Sequence, residues 1–469
     1  MSKDLLIAVL IERIEALTLR LDQAEKEIAA LKTENSELKS RLSSNSKNSS
    51  KPPSSDGYKK KPALAKKTKG KQGGQIGHNG NTLRQSQNPD QMVECKPIQC
   101  TCGHIFNGQQ MELSEKRQVF DLPEPKLIVT EYQIYKCSCP DCGLINKGIT
   151  PSGINSPVQY GNNAKALAVL LNVQYKLPFK KIQQLFGDLY SCSINESSVY
   201  SATQQCYDNL DQSEQQIKSK VAQSNVVHVD ETGLRAEGLL RWLHTASTEL
   251  YTYLFVHNKR GRLALQSDKS MLNNFTGWLV HDCWSSYFKF TDAKHALCGA
   301  HIIRELQALI ETGQSKWAKT FQTLLLHIYE MPFDQRIAQR QQIISRYKRI
   351  CQFGLKAEPP PIKTPAKRGR QKKSKARNLL ERLIREQDAV LAFAFNQEVP
   401  FTNNLAERDI RPVKVKQKIS NCFRTFKGAE IYARIEGFVS TSRKHNRNVF
   451  AELCHTFDGY NFVTDEVAK

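Results

Sequence analysis

Long apolar runs are missing from this sequence. The apolar stretch from Leu5 to Ile11 is seven residues long and is followed at once by Glu12 and Arg13. A membrane-spanning helix needs about 20 predominantly apolar residues, so this stretch is too short and too charged for a span or a signal core. No other run comes closer. We therefore expect a cytoplasmic protein with no membrane partner.

Acidic residues are scarce relative to basic ones. The chain has 46 Asp and Glu against 68 Lys and Arg, which gives a formal net charge of +22. An excess of this size favours a polyanionic partner, and nucleic acid is the commonest one. The alternative is a basic protein with no functional polyanion.

A secretory signal and several catalytic patterns are also lacking. The 13 cysteines form an odd number without a signal segment, so a disulfide framework is not expected and clustered cysteines are interpreted as metal ligands. We find no convincing nucleotide-binding glycine motif and no plausible Ser/His/Asp arrangement. A metabolic enzyme is therefore disfavoured.

Residues 1–42 carry a heptad repeat. One seam position has Ile7, Ile14, Leu21, Ile28 and Asn35, and the other has Leu10, Leu17, Ala24, Leu31 and Leu38. β-Branched residues at the first position with leucine at the second favour a parallel dimer, and a single seam asparagine fixes register. The repeat predicts an oligomerising coiled coil. The alternative is one amphipathic helix packed on its own domain.

Residues 43–90 have almost nothing to bury and predict a flexible linker rich in Ser, Lys and Gly. The following segment, 91–150, is a cysteine-rich module. Two cysteine pairs, each followed by glycine, could face one Zn²⁺ ion and replace a hydrophobic core. The best quartet is Cys100, Cys102, Cys139 and Cys142, with Cys95, Cys137 and His104 as competing ligands and reduced, unliganded thiols as the alternative.

A helical region is predicted over residues 157–222. An apolar helix covers 164–173, a second begins after Pro178, and a break at Gly187 precedes the helix that contains Glu196. This spacing resembles a helix-turn-helix, but ordinary helical hairpins share it.

The segment 223–450 predicts a catalytic α/β domain, followed by a C-terminal tail at 451–469. Two short apolar runs each end in an aspartate, Asp230 and Asp282, and further strands are predicted at 239–245 and 250–256. The order of these strands and the helix from Ile302 is that of a ribonuclease-H-like fold, in which neighbouring strand ends bring the two aspartates together. A helical insertion is expected over about 302–394. The whole chain is thus predicted to be a multidomain α+β protein.

Two clustered carboxylates repel each other unless a cation joins them, so this pair implies Mg²⁺ or Mn²⁺. Two such ions support in-line phosphoryl displacement. A third carboxylate is expected from a later helix, and Glu407 offers it. Alternatively, Glu407 forms a capping box with Asn404, and either aspartate alone simply caps a turn.

Two basic groups predict contacts with the DNA backbone and a steep dependence on salt. The first lies in the insertion and includes Lys367, Arg368, Arg370, Lys372 and Lys373, and the second follows the third carboxylate and consists of Arg408, Arg411, Lys414, Lys416 and Lys418.

These motifs resemble the transposases of the insertion-sequence-66 family nearly end to end. The resemblance rests on the linker sequence KPPSSDG at 51–57, on the cysteine module, and on three motifs, Gly74-Gln75-x-Gly77-His78-x-Gly80, Asn403-Asn404-x-Ala406-Glu407-Arg408-x-x-Arg411 and Lys414-Val415-Lys416-Gln417-Lys418. Two departures are the compressed Cys100-x-Cys102 pair and Asn421, where glycine is expected. The first puts zinc ligation there in doubt, and the second predicts a different loop geometry.

The resemblance implies a bacterial, nucleoid-associated Asp-Asp-Glu transposase with Asp230, Asp282 and Glu407 at the motif positions. It also implies strand transfer between element ends and target DNA, by cut-and-paste or copying, with helper proteins encoded by the same element. A catalytically inactive DNA-binding descendant explains the zinc, basic and coiled-coil features equally well, but it does not need all three carboxylates. A nuclease of the same fold is the other alternative, since hydrolysis and strand transfer use the same metals.

Overall fold

The computed structural model describes residues 3–43, 83–108, 110–313, 315–360 and 373–465. Most of the expected linker, and the basic residues 367, 368, 370 and 372, lie outside these ranges. Helix α1 (Lys3–Ser43) is one continuous helix of 41 residues, and its described side chains, including Ile14 and Leu17, are exposed. No helix in the described ranges is both long and apolar enough to cross a membrane.

The cysteine-rich module contains a two-stranded sheet of β1 (Lys136–Ser138) and β2 (Ile145–Lys147), and four helices follow it. They are α2 (Asn162–Val173), α3 (Phe179–Tyr190), α4 (Glu196–Asn209) and α5 (Asp211–Ala222). The break expected at Gly187 is wrong, because α3 continues through this glycine to Tyr190. The apolar face that buries Ile182 and Phe186 spans this part of the helix, and the chain turns only at Ser191, whose φ of 51° ends the helix.

A five-stranded mixed sheet forms the centre of the following segment. Its strands are β3 (Val226–Ala236), β4 (Leu239–Ser247), β5 (Thr252–His257), β6 (Trp278–His281) and β7 (Lys294–Leu297), in the spatial order β5-β4-β3-β6-β7. Strand β3 is antiparallel to β4 and parallel to β6, and β6 is parallel to β7. A short helix, α6 (Arg262–Leu265), and a 3₁₀ turn (Leu272–Asn274) connect β5 to β6, and a second 3₁₀ turn (Tyr287–Lys289) connects β6 to β7.

Strand β3 is longer than the sequence pattern predicted. Asp230 was expected at the end of a strand, but β3 continues for six more residues to Ala236, all of them paired with β4. The continuation alternates inward Leu234 and Ala236 with exposed Arg235, which is the pattern of a strand with one buried face. Asp230 therefore lies inside the central strand.

Helices cover β7 and the neighbouring face of the sheet. They are α7 (Gly299–Gly313), α8 (Lys316–Glu330), α9 (Phe333–Ala338), α10 (Arg340–Ala357), α11 (Lys375–Arg385) and α12 (Gln387–Phe395). Apart from α9, these helices share one hydrophobic core with Val280 and Leu297 of the sheet, in which Trp317, Phe321 and Tyr347 are almost completely buried.

The last helices pack on the opposite end of the sheet. They are α13 (Asn404–Ser420), α14 (Phe426–Lys444), α15 (Val449–Phe457) and α16 (Phe462–Asp465). Residues of α13, α14 and α15 share a second core with β3, β4 and β5 and with helices α2, α4 and α5. The prediction of a mixed α/β architecture is confirmed, and the segment 162–222 packs on the sheet that carries the candidate site.

Candidate active site

The parallel pairing of β3 with β6 determines where the two aspartates lie. The pairing ends at His228 and Val280, two residues before Asp230 and Asp282, and the Asp282 charge acts on Asp230. Asp282 follows the last residue of β6, and its Oδ1 accepts the backbone N–H of Trp284 at 3.0 Å. Asp230, inside β3, and Asp282, directly after β6, therefore belong to neighbouring segments of the sheet.

Acidic neighbours change the protonation of Asp230. Burial, followed by the negative charges of Glu231, Asp282 and Glu407, raises the pKa of Asp230 to about 7, although a hydrogen bond from the Glu231 backbone N–H opposes the rise. Like charges that crowd a buried carboxyl favour its neutral form unless a cation compensates. The electrostatics of this edge thus favour cation binding.

Glu407 lies in the first turn of α13, but the expected capping box is not formed. The N-cap residue is Asn403 rather than Asn404, and its side chain caps no N–H of the helix. Instead the Asn403 side chain accepts a hydrogen bond from His228 Nδ1 at 2.9 Å and donates to the Val229 carbonyl at 2.8 Å. These bonds attach the start of α13 directly to β3, next to Asp230.

Glu407 has a Cys and a His as neighbours. In the part of the chain that the structure describes, three potential ligand atoms from different residues come within 4.8 Å of one another at one place, on Cys298, His301 and Glu407. His301 Nδ1 lies 3.6 Å from Glu407 Oε1, and both atoms are buried without a hydrogen-bond partner. Burial lowers the pKa of His301, but Cys298 and the Glu407 charge outweigh it and raise that pKa to about 9.

An ionic network around the buried Glu231 carboxylate lies beside Asp230 and was not predicted from sequence. Glu231 accepts two hydrogen bonds from Arg260 at 2.9 and 2.6 Å, and a third from the hydroxyl of Tyr287. The Arg260 guanidinium lies between two indole rings, 5.0 Å from the centroid of Trp242 and 4.4 Å from that of Trp284. The only sequence signal for this network was a second carboxylate directly after Asp230.

Two histidines hold the turn that presents Asp282. His281 Nδ1 accepts the backbone N–H of Cys283 at 3.2 Å, so its Nε2 carries the proton and donates to His295 Nδ1 at 3.2 Å. His295 Nε2 in turn donates to the Phe290 carbonyl at 3.1 Å. Burial lowers the pKa of both imidazoles, which keeps them neutral. This series of hydrogen bonds stabilises Cys283 at a φ of 74°, a conformation that non-glycine residues rarely adopt.

The predicted basic residues of α13 divide into two groups. Arg408, Arg411 and Lys418 are exposed on the outer face of the helix that begins beside Glu407, and Lys414 is exposed but donates to the Gly233 carbonyl. Lys416 is 9% exposed and donates to the Asn172 carbonyl of α2 at 3.3 Å. Its burial is at odds with the predicted direct DNA contact.

The basic residues of the insertion are mostly outside the described ranges. Of the five named there, Lys373 is described, and its ammonium pairs with Glu381 at 2.5 Å.

The cysteine-rich module contains two similar turns. Gly103 and Gly143, at φ of 94° and 72°, each donate an N–H to the carbonyl of the first cysteine of their turn, Cys100 and Cys139. The second turn joins β1 (Lys136–Ser138) to β2 (Ile145–Lys147). Hydrogen bonds from the backbone of Cys102 and of Cys142 lower the pKa of the Cys100 and Cys139 thiols, respectively. These turns favour thiolates, the form that binds zinc.

The structure forms the two cysteine pairs but does not gather three of the predicted zinc ligands within 4.8 Å in the described ranges. The residues still fit the ion, because each turn presents two thiols and stabilises the charge of its first one. The same 4.8 Å criterion does not gather Asp230, Asp282 and Glu407 in the described ranges, although the charges of Asp282 and Glu407 both act on Asp230. Their carboxylate oxygens suit hard ions such as Mg²⁺ and Mn²⁺.

Comparison with protein families also separates the cysteine-rich module from the segment that contains the five-stranded sheet. Residues 157–431, more than half of the 469 residues, match the model described as the transposase IS66 family. Residues 97–143 match the zinc-finger binding domain of transposase IS66, and residues 6–84 match a family of unknown function. A search of individual curated proteins finds no match.

A nucleic-acid-processing enzyme is the class that these matches define. The chain belongs to the IS66 family of transposases. Membership in this family implies DNA binding, and the zinc-finger match supports a structural zinc ion. The resemblance predicted from the sequence motifs is confirmed.

Proposed function

We propose that this transposase cuts the ends of its element and joins them to target DNA by two-metal-ion phosphoryl transfer, with Asp230, Asp282 and Glu407 as the metal ligands. The observation that carries the proposal is the parallel pairing of β3 and β6, which ends two residues before Asp230 and Asp282 and so leads both carboxylates towards one place. The charges of Asp282 and Glu407 both act on Asp230, which supports a shared site for the three carboxylates.

The strand arrangement supports a ribonuclease-H-like fold for the catalytic domain. Three antiparallel strands, β3, β4 and β5, continue into the parallel strands β6 and β7, with β3 at the centre. This order supports a site with the first carboxylate on β3, the second directly after β6 and the third on a helix. We assign the domain to residues 223–450, with the helical region 157–222 packed against it.

Each site residue has a distinct task in this proposal. Mg²⁺ or Mn²⁺, when bound, would activate the attacking oxygen and stabilise the leaving oxygen of the phosphodiester. Asp230, whose pKa is about 7, releases its proton as the cation compensates its acidic neighbours. Asn403 fixes the start of α13 against β3, so Glu407 enters the site at a defined position. The His281–His295 pair orients the turn that carries Asp282.

The remaining segments supply binding in this proposal. The exposed face of α13 with Arg408, Arg411 and Lys418 contacts the DNA backbone near the metal site, and the basic tract of the insertion adds further contacts. The cysteine module binds a structural zinc ion through Cys100, Cys102, Cys139 and Cys142. Helix α1 pairs with α1 of a second copy as a coiled coil, which covers its exposed apolar seam.

The decisive experiment measures cleavage and joining of the element's own end DNA in Mg²⁺ or Mn²⁺. Asp230→Asn, Asp282→Asn and Glu407→Gln are compared with Asp292→Asn, which changes an exposed aspartate between β6 and β7. We expect the three site variants to bind end DNA but to lose joined products by at least 100-fold, while Asp292→Asn resembles the wild type.

Two results would contradict this proposal. Metal-dependent cleavage without any joined product would favour a nuclease. End binding without chemistry in the wild type, with helper proteins added, would favour an inactive DNA-binding protein.

A further inference from the structure

A thiol, an imidazole and a carboxylate meet where β7 enters α7. Cys298 follows β7, His301 lies in the first turn of α7, and Glu407 comes from the first turn of α13. Their ligand atoms all lie within 4.8 Å of one another. The proposed phosphoryl transfer uses only the Glu407 carboxylate of this group, so the thiol and the imidazole have no role in it.

Two ligand atoms of this cluster make no hydrogen bond. His301 Nδ1 and Glu407 Oε1 are buried from solvent, and they meet only as an ion pair that is longer than a hydrogen bond. A buried polar atom without a hydrogen bond costs roughly 1–3 kcal/mol, so such an atom calls for an explanation. Both atoms face each other across 3.6 Å, which is a geometry that a bound ion would satisfy.

Cys298 is prepared for a ligand role by its surroundings. It is 1% exposed, and its Sγ accepts the backbone N–H of Asn403 at 3.1 Å. A backbone donor on sulfur is the kind of outer contact that stabilises a metal-bound thiolate. Cys206 and Cys351 are also buried, but neither belongs to a ligand cluster in the described ranges.

We propose that Cys298 Sγ, His301 Nδ1 and Glu407 Oε1 form a binding site for a soft divalent ion such as Zn²⁺, separate from the cysteine-rich module. Sulfur, nitrogen and oxygen donors together suit zinc rather than magnesium, and three protein ligands leave the fourth position open. Zinc ligands at about 2.0–2.3 Å place donor atoms about 3.5 Å apart, so the cluster closes around the ion by small rotamer changes.

Occupancy of this site has a functional consequence. It engages Glu407 Oε1 with zinc and withdraws that oxygen from the hard-ion site, so zinc inhibits the transposase reversibly. This consequence rests on the proposed role of Glu407 in catalysis, whereas the binding itself does not.

Cobalt binding by the full chain tests the site directly. The protein first receives one equivalent of Zn²⁺, which a four-thiolate module takes before a three-ligand site, and is then titrated with Co²⁺ while the near-ultraviolet thiolate-to-cobalt band is recorded. We expect one further equivalent to bind with this band in the wild type. Cys298→Ser removes the band, His301→Gln weakens binding at least tenfold, and the control Cys351→Ser keeps both.

Two results would overturn the inference. One is the absence of a thiolate-to-cobalt band in the zinc-loaded wild type, and the other is a band that persists in Cys298→Ser. Circular dichroism checks the fold of each variant. If Cys298→Ser unfolds, His301→Gln decides, because the His301 side chain is 20% exposed and tolerates a polar replacement.

Zinc inhibition of strand transfer in Mg²⁺ tests the consequence. Each variant is normalised to its own activity without zinc, and we expect the half-inhibitory Zn²⁺ concentration to rise at least tenfold in His301→Gln. Equal inhibition of wild type and variant excludes this regulation. If joining depends on Asp230 but cobalt does not bind, the soft-ion site is wrong and the proposed function stands. If cobalt binds but no chemistry depends on Asp230, the proposed function fails and the site remains.

Discussion

Gly299 donates its backbone N–H to the Phe401 carbonyl at 2.7 Å, and the Phe401 ring fills the space beside it. A Cβ at position 299 would lie 2.1 Å from a ring carbon of Phe401. This contact joins the start of α7, which carries His301, to the segment that leads into α13 and Glu407. The start of α13, which carries Glu407, is thus attached to α7 through a contact that only glycine permits.

Gly299→Ala is expected to destabilise the protein by about 1–3 kcal/mol, because overpacking displaces the Phe401 ring. Strand transfer is expected to fall more than stability alone explains, because the displacement moves Glu407. Urea denaturation and strand-transfer assays at a temperature where the variant is folded measure the two effects. The matched control is Gly313→Ala, whose added Cβ meets nothing within 4 Å. Equal behaviour of the two variants would show that the Phe401 contact does not position the helix.

The outer face of α13 predicts a salt-dependent DNA interaction. Replacing Arg408, Arg411 and Lys418 by Gln should weaken end-DNA binding and reduce the slope of log K against log salt by about 2–3, since each phosphate contact contributes about 0.9. Binding titrations between 50 and 200 mM salt provide the slope. Gln replacements at Lys316 and Lys319 in α8 serve as the control. An unchanged slope in the α13 variant would place the DNA elsewhere.

Lys416 predicts a pH dependence of stability. Burial, together with the charge of Lys176, lowers the pKa of Lys416 to about 8, against 10.5 for a free lysine. Between about pH 8 and 10.5 the unfolded chain therefore holds a proton that the folded chain has released, so stability rises with pH in this window. Below pH 8 both states are protonated, and burial of the charge costs up to roughly 3 kcal/mol.

Lys416→Met removes this buried charge. We expect a gain of about 1–3 kcal/mol in the free energy of unfolding at pH 7, which shrinks towards zero near pH 10.5. Urea denaturation at several pH values, with Lys418→Met as an exposed control on the same helix, measures the difference. End-DNA binding should be unchanged. If the stability of wild type and Lys416→Met changed with pH in parallel, the pH dependence would not come from Lys416. Weaker DNA binding by Lys416→Met would show that Lys416 contacts the DNA.

The coiled-coil proposal predicts a monomer when the seam of α1 is disrupted. Leu17→Asp with Leu31→Asp places charges on the apolar seam, and light scattering should show the mass falling from that of a dimer or larger oligomer to that of a monomer. Glu12→Gln with Glu15→Gln, outside the seam, is the control. An oligomer that survives the seam change would assign self-association to another surface.

Much of the sheet could be predicted from sequence, because a strand is indicated by a short apolar run within a few neighbouring residues. The apolar run before Asp282 ends in a turn, so the position of this residue at a strand end follows from sequence. Asp230 was misplaced, because its strand continues through a half-buried alternation that a short apolar run does not reveal. The N-cap of α13 was misassigned by one residue, because the Asn403 side chain is used in tertiary bonds to β3.

The cluster at Glu407 could not have been predicted from spacing. Cys298 and His301 are more than 100 residues from Glu407 in sequence, and the helical insertion lies between them. The contact between Gly299 and Phe401, which lie on either side of that insertion, brings the two ends together. Burial of Lys416 was similarly hidden, since the neighbouring Lys414 and Lys418 are exposed and the difference depends on the position of α2.

Asn421 provides a final test of local backbone strain. It ends α13 at φ 58° and ψ −53°, and the N–H of Cys422 donates to the Ser420 carbonyl at 2.6 Å across it. This is a tight γ-turn with positive φ, a rare and strained conformation for a residue with a side chain. Position 421, where the resemblance predicts glycine, therefore has a backbone conformation that glycine would adopt more easily than asparagine.

Asn421→Gly is expected to stabilise the protein by about 0.5–1 kcal/mol, because relief of strain exceeds the extra entropy of glycine in the unfolded chain. Asn421→Ala, which keeps a Cβ without the amide, is the matched comparison and should not stabilise. The turn leads into Phe423, whose backbone N–H donates to the Arg235 carbonyl at the end of β3 at 2.9 Å. A loss of stability in Asn421→Gly would mean that the Asn421 side chain, rather than the backbone, holds α13 against the central strand.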